Sequence, residues 1–255
     1  MSDFANPQNL LDYDGLTIRQ DPSLPALSED ALLLADFAHP VRKEGRIIDL
    51  GTGLAPIPLF LSLKTEAKII GLEIIDKAAM LAEQSVKDNH LQHQITIIEG
   101  DIKGVRRLFD PSSFDNVICN PPFFPRGRYR LPEKGYAFKV ARHEIAVDFV
   151  GVVRQAKYLL KQQGTLTFIQ RAERSKEIGD MLPKHGFNIS RVKYVHPYAD
   201  RPPRFLMVEA VKDEGSIQKH VEPPLFVFDK ENIHSKAYQR IMNVGRDRFE
   251  KHSPS

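Results

Sequence analysis

The chain has 255 residues, 42% of them hydrophobic and 27% charged, and a formal net charge of +3 at pH 7. This length is enough for one large α/β domain, or for a domain with a small appendage. The composition is that of a globular protein, and no stretch approaches the roughly 20 consecutive apolar residues that a membrane helix needs. A membrane partner is therefore not expected.

The single cysteine, Cys119, excludes an internal disulfide and a cysteine-rich zinc site. The first residues contain neither a basic segment nor an apolar segment typical of a leader sequence. A cytoplasmic location is therefore expected, and no metal is.

Short β-type runs alternate with amphipathic helical stretches, which predicts an α/β fold with a doubly wound, mainly parallel sheet. Helices are predicted at Glu29–Phe37, with Ser28 as N-cap, and at 59–64, 76–89, 146–160 and 172–185. Seven strands are predicted at Arg46–Leu50, 67–74, 94–101, 114–120, 164–171, Phe187–His196 and 204–212, and the last is expected to be antiparallel. Residues 1–45 then form an N-terminal extension, 46–212 the main domain, and 213–255 a polar tail with partial order at best.

A glycine loop, Gly51-Thr52-Gly53, lies where the first strand gives way to a helix, a place where glycine permits a tight turn and close approach to a ligand. A dinucleotide site would need a third glycine nearby, but Pro56 and Pro58 stand there and remove N–H donors. A cofactor that makes no phosphate contact loses nothing by this.

Two acids follow the next two predicted strands, Glu73 and Asp101. The carboxyl ends of parallel strands face the crevice where such sheets bind ligands. The first acid can accept both hydroxyls of a ribose, and the second can accept from an adenine amino group. Together they suggest an adenosine without phosphates.

The fourth strand ends in Asn120-Pro121-Pro122-Phe123. The exocyclic amine of adenine is a poor nucleophile, because its lone pair is delocalised into the ring. The Asn120 amide oxygen and the Pro121 carbonyl can accept both amino hydrogens and free that lone pair, while the rigid proline pair holds the second acceptor. The Phe123 ring can stack on a flipped base. These four residues are the predicted catalytic group.

This arrangement resembles the class I methyltransferases, which have a Rossmann-like sheet and use S-adenosylmethionine. The resemblance implies that the cofactor's aminoacyl end lies along Gly51, Thr52, Gly53 and Leu54, its ribose at Glu73, and its adenine at Asp101 and Ile102. Asp49, Ile74 and Asn120 are assigned to the same cofactor site.

Six sequence blocks are similar to the bacterial tRNA1(Val) adenine-N6-methyltransferases, in the form found in Gram-positive lineages. These blocks are LSEDALLLADFA, DLGTGLAPIPLFLS, NPPFF, ARHEI, RPPRFLMVEAVK and EPPLFVFDKENIHSKAYQRI. The resemblance implies methylation of adenosine 37 in tRNA, with tRNA as the partner.

Positive charge gathers after the Asn-Pro-Pro-Phe motif. By the resemblance, Arg126, Arg128 and Arg130 lie in a lid that meets backbone phosphates. The predicted RNA-binding residues also include Lys134, Arg142, Arg201 and Arg204, although simple solvation of Arg201 and Arg204 remains equally open.

Other functions stay open at this point. A methyltransferase acting on another RNA, or on a protein glutamine, would share the Asn-Pro-Pro-Phe motif, although the glutamine enzymes carry a larger N-terminal domain. A DNA adenine methyltransferase would need a target-recognition insert longer than the segment after Phe124. An RNA-binding protein without catalysis would not need Asn120 and both strand-end acids, and a nicotinamide-dependent dehydrogenase would need the third glycine.

Overall fold

A computed structural model describes residues 7–9, 15–39, 42–121, 148–213, 215, 217–229 and 232–242 of the chain. The strands are β1 (Pro7–Asn9), β2 (Thr17–Arg19), β3 (Arg46–Leu50), β4 (Lys68–Glu73), β5 (Ile95–Glu99), β6 (Phe114–Cys119), β7 (Leu160–Arg171), β8 (Phe187–His196), β9 (Phe205–Lys212), β10 (His220–Val221) and β11 (Leu225–Phe226). The helices are α1 (Glu29–Phe37), α2 (Pro56–Leu61), α3 (Asp76–Asp88), α4 (Val105–Leu108), α5 (Phe149–Leu159), α6 (Ser175–Met181) and α7 (Lys236–Met242).

The central sheet has the strand order β10-β8-β9-β7-β6-β3-β4-β5, and β11 also pairs with β8. All pairings in it are parallel except those of β9, which is antiparallel to both β7 and β8. The predicted seven-stranded, mainly parallel sheet with an antiparallel last strand is confirmed. Two short strands from the C-terminal segment extend it, and β1 and β2 form a separate antiparallel pair.

Helices cover both faces of the sheet, because successive strand residues point to opposite sides. On β3, Ile47 belongs to one core, with α1, α2, α3 and α7, while Ile48 belongs to the other, with α5 and α6. On β6 the same alternation separates Ile118 from Val117. No helix in the described part of the chain is long and apolar enough to cross a membrane.

Several predicted boundaries shift in the structure. Helix α2 begins at Pro56 and ends at Leu61, since proline is favourable in the first turn of a helix. Strand β7 begins at Leu160, directly after α5. The helix predicted for 172–185 is divided into a 3₁₀ turn, α6 and a second 3₁₀ turn, which ends at Gly186 in a left-handed conformation.

Helix α1 starts where the sequence predicts, but Ser28 makes no side-chain capping hydrogen bond. The C-terminal end of the helix is capped by Lys64, a residue distant in sequence. The Lys64 Nζ donates to the carbonyls of Ala35, Asp36 and Ala38 at 2.9, 2.5 and 3.0 Å. A cation at a helix C-terminus is favourable, so this contact fixes α1 against the segment that follows α2.

Part of the C-terminal segment packs against the main domain. Within residues 217–229 and 232–242, Leu225, Tyr238 and Ile241 are buried in the same core as α1. The guanidinium of Arg191 on β8 also donates to Glu222 at 2.7 Å. Apolar side chains spaced along this polar segment thus join the core of the main domain, and the expectation of partial order at best stays a prediction.

This packing predicts a stability cost for a small cavity at Ile241. Ile241→Val removes one buried methylene and should lower the free energy of unfolding by about 1 kcal/mol in denaturant titration. The matched control is Ile233→Val, since Ile233 in the same segment is 57% exposed. Equal midpoints for the two variants would mean that α7 does not contribute to the core.

Candidate active site

Four neighbouring strands bring their carboxyl ends to one edge of the sheet. The order β6-β3-β4-β5 is in register, with Asp49 beside Ile118, Leu50 beside Leu72 and Glu73 beside Glu99. A crevice at this edge is the usual ligand site of a doubly wound sheet. These strand ends carry the glycine loop, both acids and Asn120.

The glycine loop after β3 has a backbone that requires glycine. Gly51 and Gly53 have φ of 78° and 57°, and a Cβ on either would meet nothing within 4 Å. The N–H groups of Gly51 and Thr52 donate to the Leu72 carbonyl at 2.8 and 3.0 Å. The loop is thus held against β4 and faces open space. Where a dinucleotide loop would place a third glycine, Ala55 is left-handed, with φ of 65°.

The carboxyl of Asp49 is fully buried beneath this loop. Its Oδ2 accepts a hydrogen bond from the Thr52 hydroxyl at 2.7 Å, while Oδ1 has no partner in the described part of the chain. Burial raises the pKa of Asp49 to about 7, the Thr52 hydrogen bond opposes the rise, and the charge of Glu73 adds to it. A buried carboxyl oxygen that lacks a hydrogen-bond partner in the described part of the chain favours a ligand that is cationic or donates a hydrogen bond.

Glu73, at the end of β4, is 5% exposed. Its carboxylate links the glycine loop to the segment between β4 and α3. Its Oε2 accepts from the Gly53 N–H at 2.8 Å, and its Oε1 accepts from the Ile75 N–H at 2.9 Å. Burial raises its pKa, and hydrogen bonds from the backbone partly offset the rise. Each oxygen keeps further acceptor capacity, so the carboxylate can still receive ligand hydroxyls.

Asp101 follows β5 and caps the 3₁₀ turn Ile102–Gly104, with its Oδ1 accepting from the Lys103 N–H at 2.9 Å. Both Asp101 and Ile102 are half-buried. The Gly100 N–H donates to the Glu73 carbonyl at 2.8 Å, so the ends of β4 and β5 are joined. Ile74 and Leu54 lie at the same edge, half-buried and buried respectively.

Strand β6 delivers Asn120 to this edge. The Cys119 Sγ lies 3.2 Å from the Leu50 carbonyl oxygen, which brings the end of β6 beside the start of the glycine loop. Cys119 is buried, burial raises the pKa of its thiol, and the residue packs as a small hydrophobic side chain. Asn120 is half-buried and Pro121 is buried. The structure therefore brings Asn120 and Pro121 together with the predicted cofactor residues.

The other predicted catalytic and RNA-binding residues divide into two groups. Pro122, Phe123, Arg126, Arg128, Arg130, Lys134 and Arg142 lie outside the described residues. Arg201 and Arg204 are exposed on the connection between β8 and β9, at the edge that carries Asn120.

The sequence reasoning missed two residues at this edge. Arg171 ends β7, the strand next to β6, and its guanidinium lies over the Phe205 ring. Asp30, in the first turn of α1, interacts electrostatically with Arg204 and Arg171. The rule that selected Glu73 and Asp101, a charged residue at a strand end, would also have selected Arg171.

The fold is shared with solved methyltransferase structures. A predicted O-methyltransferase of Agrobacterium tumefaciens matches with a TM-score of 0.67 and 21% identity, over 85% of this chain and 96% of that one. The geranyl diphosphate C-methyltransferase of Streptomyces coelicolor matches with a TM-score of 0.52 and 10% identity, over 72% of this chain and 78% of that one. These likenesses show that the chain has the Rossmann-like fold of the class I methyltransferases.

Residues 29–185 match the methyltransferase small domain family, and the chain belongs to that family. Among curated relatives, the tRNA1(Val) (adenine(37)-N6)-methyltransferase of Dyadobacter fermentans is 23% identical over 91% of this chain and 95% of its own length. Proteins of the same name from Photobacterium profundum and Shewanella halifaxensis are 26% and 29% identical, over 72% and 58% of this chain and 76% and 58% of their own lengths.

Proposed function

We propose that this chain transfers a methyl group from S-adenosylmethionine to the N6 amine of an adenine in tRNA, with adenosine 37 of tRNA1(Val) as the first candidate. The observation that carries the proposal is the 3.2 Å contact between Cys119 and Leu50, by which Asn120 and Pro121 adjoin the glycine loop. The curated relatives match up to 91% of the chain, and their names support the choice of substrate.

The described residues fit an adenosine-containing cofactor that carries a cationic aminoacyl end. Gly51 and Gly53 face open space, and the unpartnered Asp49 oxygen can accept a hydrogen bond at the base of the loop. Glu73 offers acceptors for ribose hydroxyls, and Asp101 offers an acceptor for an adenine amine. When bound, S-adenosylmethionine supplies an electrophilic methyl group on a sulfonium, which departs as a neutral thioether.

The proposed work of the protein is mainly positioning. The Asn120 amide oxygen and the Pro121 carbonyl accept the two hydrogens of the adenine amine and orient its lone pair toward the methyl group. With S-adenosylmethionine bound, methyl transfer to this lone pair would break the carbon–sulfur bond, and the extra proton on nitrogen would pass to solvent. No general base is needed, because the nitrogen loses its proton readily once it is methylated and cationic. Phe123, the last residue of the motif, is proposed to stack on the base.

The experiment that tests this function measures transfer of labelled methyl groups from S-adenosylmethionine into unmodified tRNA1(Val). The matched control is the same tRNA with guanosine at position 37. Label in the first RNA alone supports both chemistry and target. Label in both RNAs would move the target to another adenosine, and label in neither, with cofactor still bound, would direct the search to other RNAs and to protein glutamines.

A weaker effect is expected at the proposed ribose contact. Glu73→Gln puts an NH₂ group opposite a backbone N–H of Gly53 or Ile75 and removes a charged acceptor. The dissociation constant for S-adenosylmethionine, measured by calorimetry, should rise about tenfold, the lower limit for a hydrogen bond to a charged group. Glu83→Gln on the exposed face of α3 is the control. An unchanged dissociation constant for Glu73→Gln would remove this residue from the site.

A further inference from the structure

Two arginines share one aromatic ring beside the proposed methylation site. Arg171 at the end of β7 is the cross-strand partner of Phe205, the first residue of β9. The guanidinium carbons of Arg171 and Arg204 lie 5.6 and 5.0 Å from the centre of the Phe205 ring. The Ala172 N–H also donates to the Arg204 carbonyl at 3.2 Å. Backbone pairing and a buried ring thus hold both cations in place.

This pair lies next to Asn120. Strands β6 and β7 are adjacent, with Cys119 opposite Phe168, so Arg171 lies two residues beyond the level of Asn120. Two residues along a strand and one strand spacing across give a Cα separation of roughly 8 Å. A group held by Arg171 would therefore lie beside the amine-binding position.

The acids near the two arginines offset only part of their charge, since a single half-buried carboxyl, that of Asp30, interacts with both. Arg171 pairs with Glu173 at 3.3 Å, but the Glu173 side chain is 76% exposed, so solvent screens that pair. Arg204 has no ion pair with the described residues. Burial raises the pKa of Asp30 to about 6, while Arg204 and Arg171 oppose the rise and Glu29 adds to it. Two like charges fixed on one ring repel each other, and a bound anion would relieve that repulsion.

We propose that Arg171 and Arg204 together bind one phosphodiester of the RNA, at a linkage adjacent to the adenosine that is methylated. The inference rests on the proposed function. An enzyme that draws a base out of its stack must hold the backbone around it, and phosphate contacts fix that position. The planar guanidinium group matches phosphate oxygens with paired donors, and both groups here are held before the RNA arrives.

The test measures binding of a fluorescent hairpin with the anticodon-arm sequence of tRNA1(Val) across a series of KCl concentrations. The double variant R171Q/R204Q should bind about tenfold more weakly than wild type. The slope of log K against log[KCl] should become shallower by about 0.7, the value for one phosphate of a single strand. A change of about 1.4 would mean two separate phosphates and overturn the shared site, and an unchanged slope would overturn phosphate contact altogether.

The matched control is Arg46→Gln. Arg46 also lies over a phenylalanine ring, that of Phe114, at 4.8 Å, but it stands at the opposite, amino-terminal edge of the sheet. This variant removes the same kind of contact and one positive charge at the far edge, so it should keep the wild-type slope. Thermal melting of all variants separates loss of binding from loss of fold.

A second measurement locates the phosphate. Hairpins in which one linkage beside the target adenosine is a neutral methylphosphonate should bind wild type about as weakly as the double variant binds the unmodified hairpin. The same modification should cost the double variant nothing further, since coupled partners are not additive. Additive losses at both flanking linkages would overturn the inference. A wild-type chain that binds no hairpin would refute the proposed function itself, and the inference with it.

Discussion

Replacement of Asn120 by alanine is expected to lower kcat for methyl transfer by about 10³-fold, the upper range for loss of one catalytic hydrogen-bonding group. The amide oxygen is one of the two proposed acceptors for the adenine amine, and without it the lone pair stays delocalised in the ring. Binding of S-adenosylmethionine should weaken by no more than about tenfold, because the glycine loop, Glu73 and Asp101 are unchanged. Single-turnover kinetics with labelled cofactor and calorimetric binding separate the two effects.

The matched variant for this prediction is Asn120→Asp, which keeps an acceptor oxygen at the same position. It should retain more activity than Asn120→Ala, since the acceptor and not the amide NH₂ is the proposed catalytic element. Equal loss in both variants would argue against amine orientation. Wild-type kcat in Asn120→Ala would place the chemistry elsewhere along the edge.

Replacement of Asp49 by asparagine is expected to stabilise the cofactor-free protein at neutral and alkaline pH. Burial raises the pKa of Asp49 from 3.8 to about 7, with the Thr52 hydrogen bond opposing the rise and Glu73 adding to it. The folded state therefore holds its proton more tightly than the unfolded state does. As pH rises from about 4 to 7, the unfolded chain ionises first, and the folded state loses stability progressively.

The amide in the Asp49→Asn variant does not ionise, so the variant does not lose this stability as pH rises. The difference in free energy of unfolding between the variant and wild type should thus increase with pH between about 4 and 7 and level off above that. The full change is on the order of 4 kcal/mol, since each tenfold difference in proton affinity corresponds to about 1.36 kcal/mol. Chemical denaturation at a series of pH values measures it. Asp148→Asn, at the exposed N-cap of α5, controls for the loss of one negative charge. A difference that is independent of pH would contradict the prediction.

The buried Asp49 carboxyl is also expected to lower the stability of the cofactor-free protein. An uncompensated buried carboxyl is costly, and active sites commonly keep such groups where a ligand will satisfy them. The unpartnered Oδ1 lies under a loop whose two glycines face open space. Added S-adenosylmethionine should therefore reduce the alkaline instability of the wild-type protein more than that of Asp49→Asn.

The sequence by itself determined the main strands of the sheet and supplied the residues proposed for the site. Period-two and helical hydrophobic patterns located all seven principal strands, because local backbone preference and burial on one or both faces act within a few residues. The glycine loop, Glu73, Asp101 and Asn120 were selected as site candidates because each lies at or just after the end of a predicted strand. The antiparallel end of the sheet was predicted from two β-type runs joined by a short connection.

Only the tertiary structure decided which side chains meet across strands. The pairing of Arg171 with Phe205, and the placement of Arg204 on the same ring, depend on the order in which β6, β7 and β9 lie side by side. The burial of Tyr238 and Ile241 depends on a core that α1 completes from the other end of the chain. The unsatisfied oxygen of Asp49 and the two backbone donors at Glu73 follow from how the loops close. These are contacts between residues distant in sequence, and no local pattern encodes their partners.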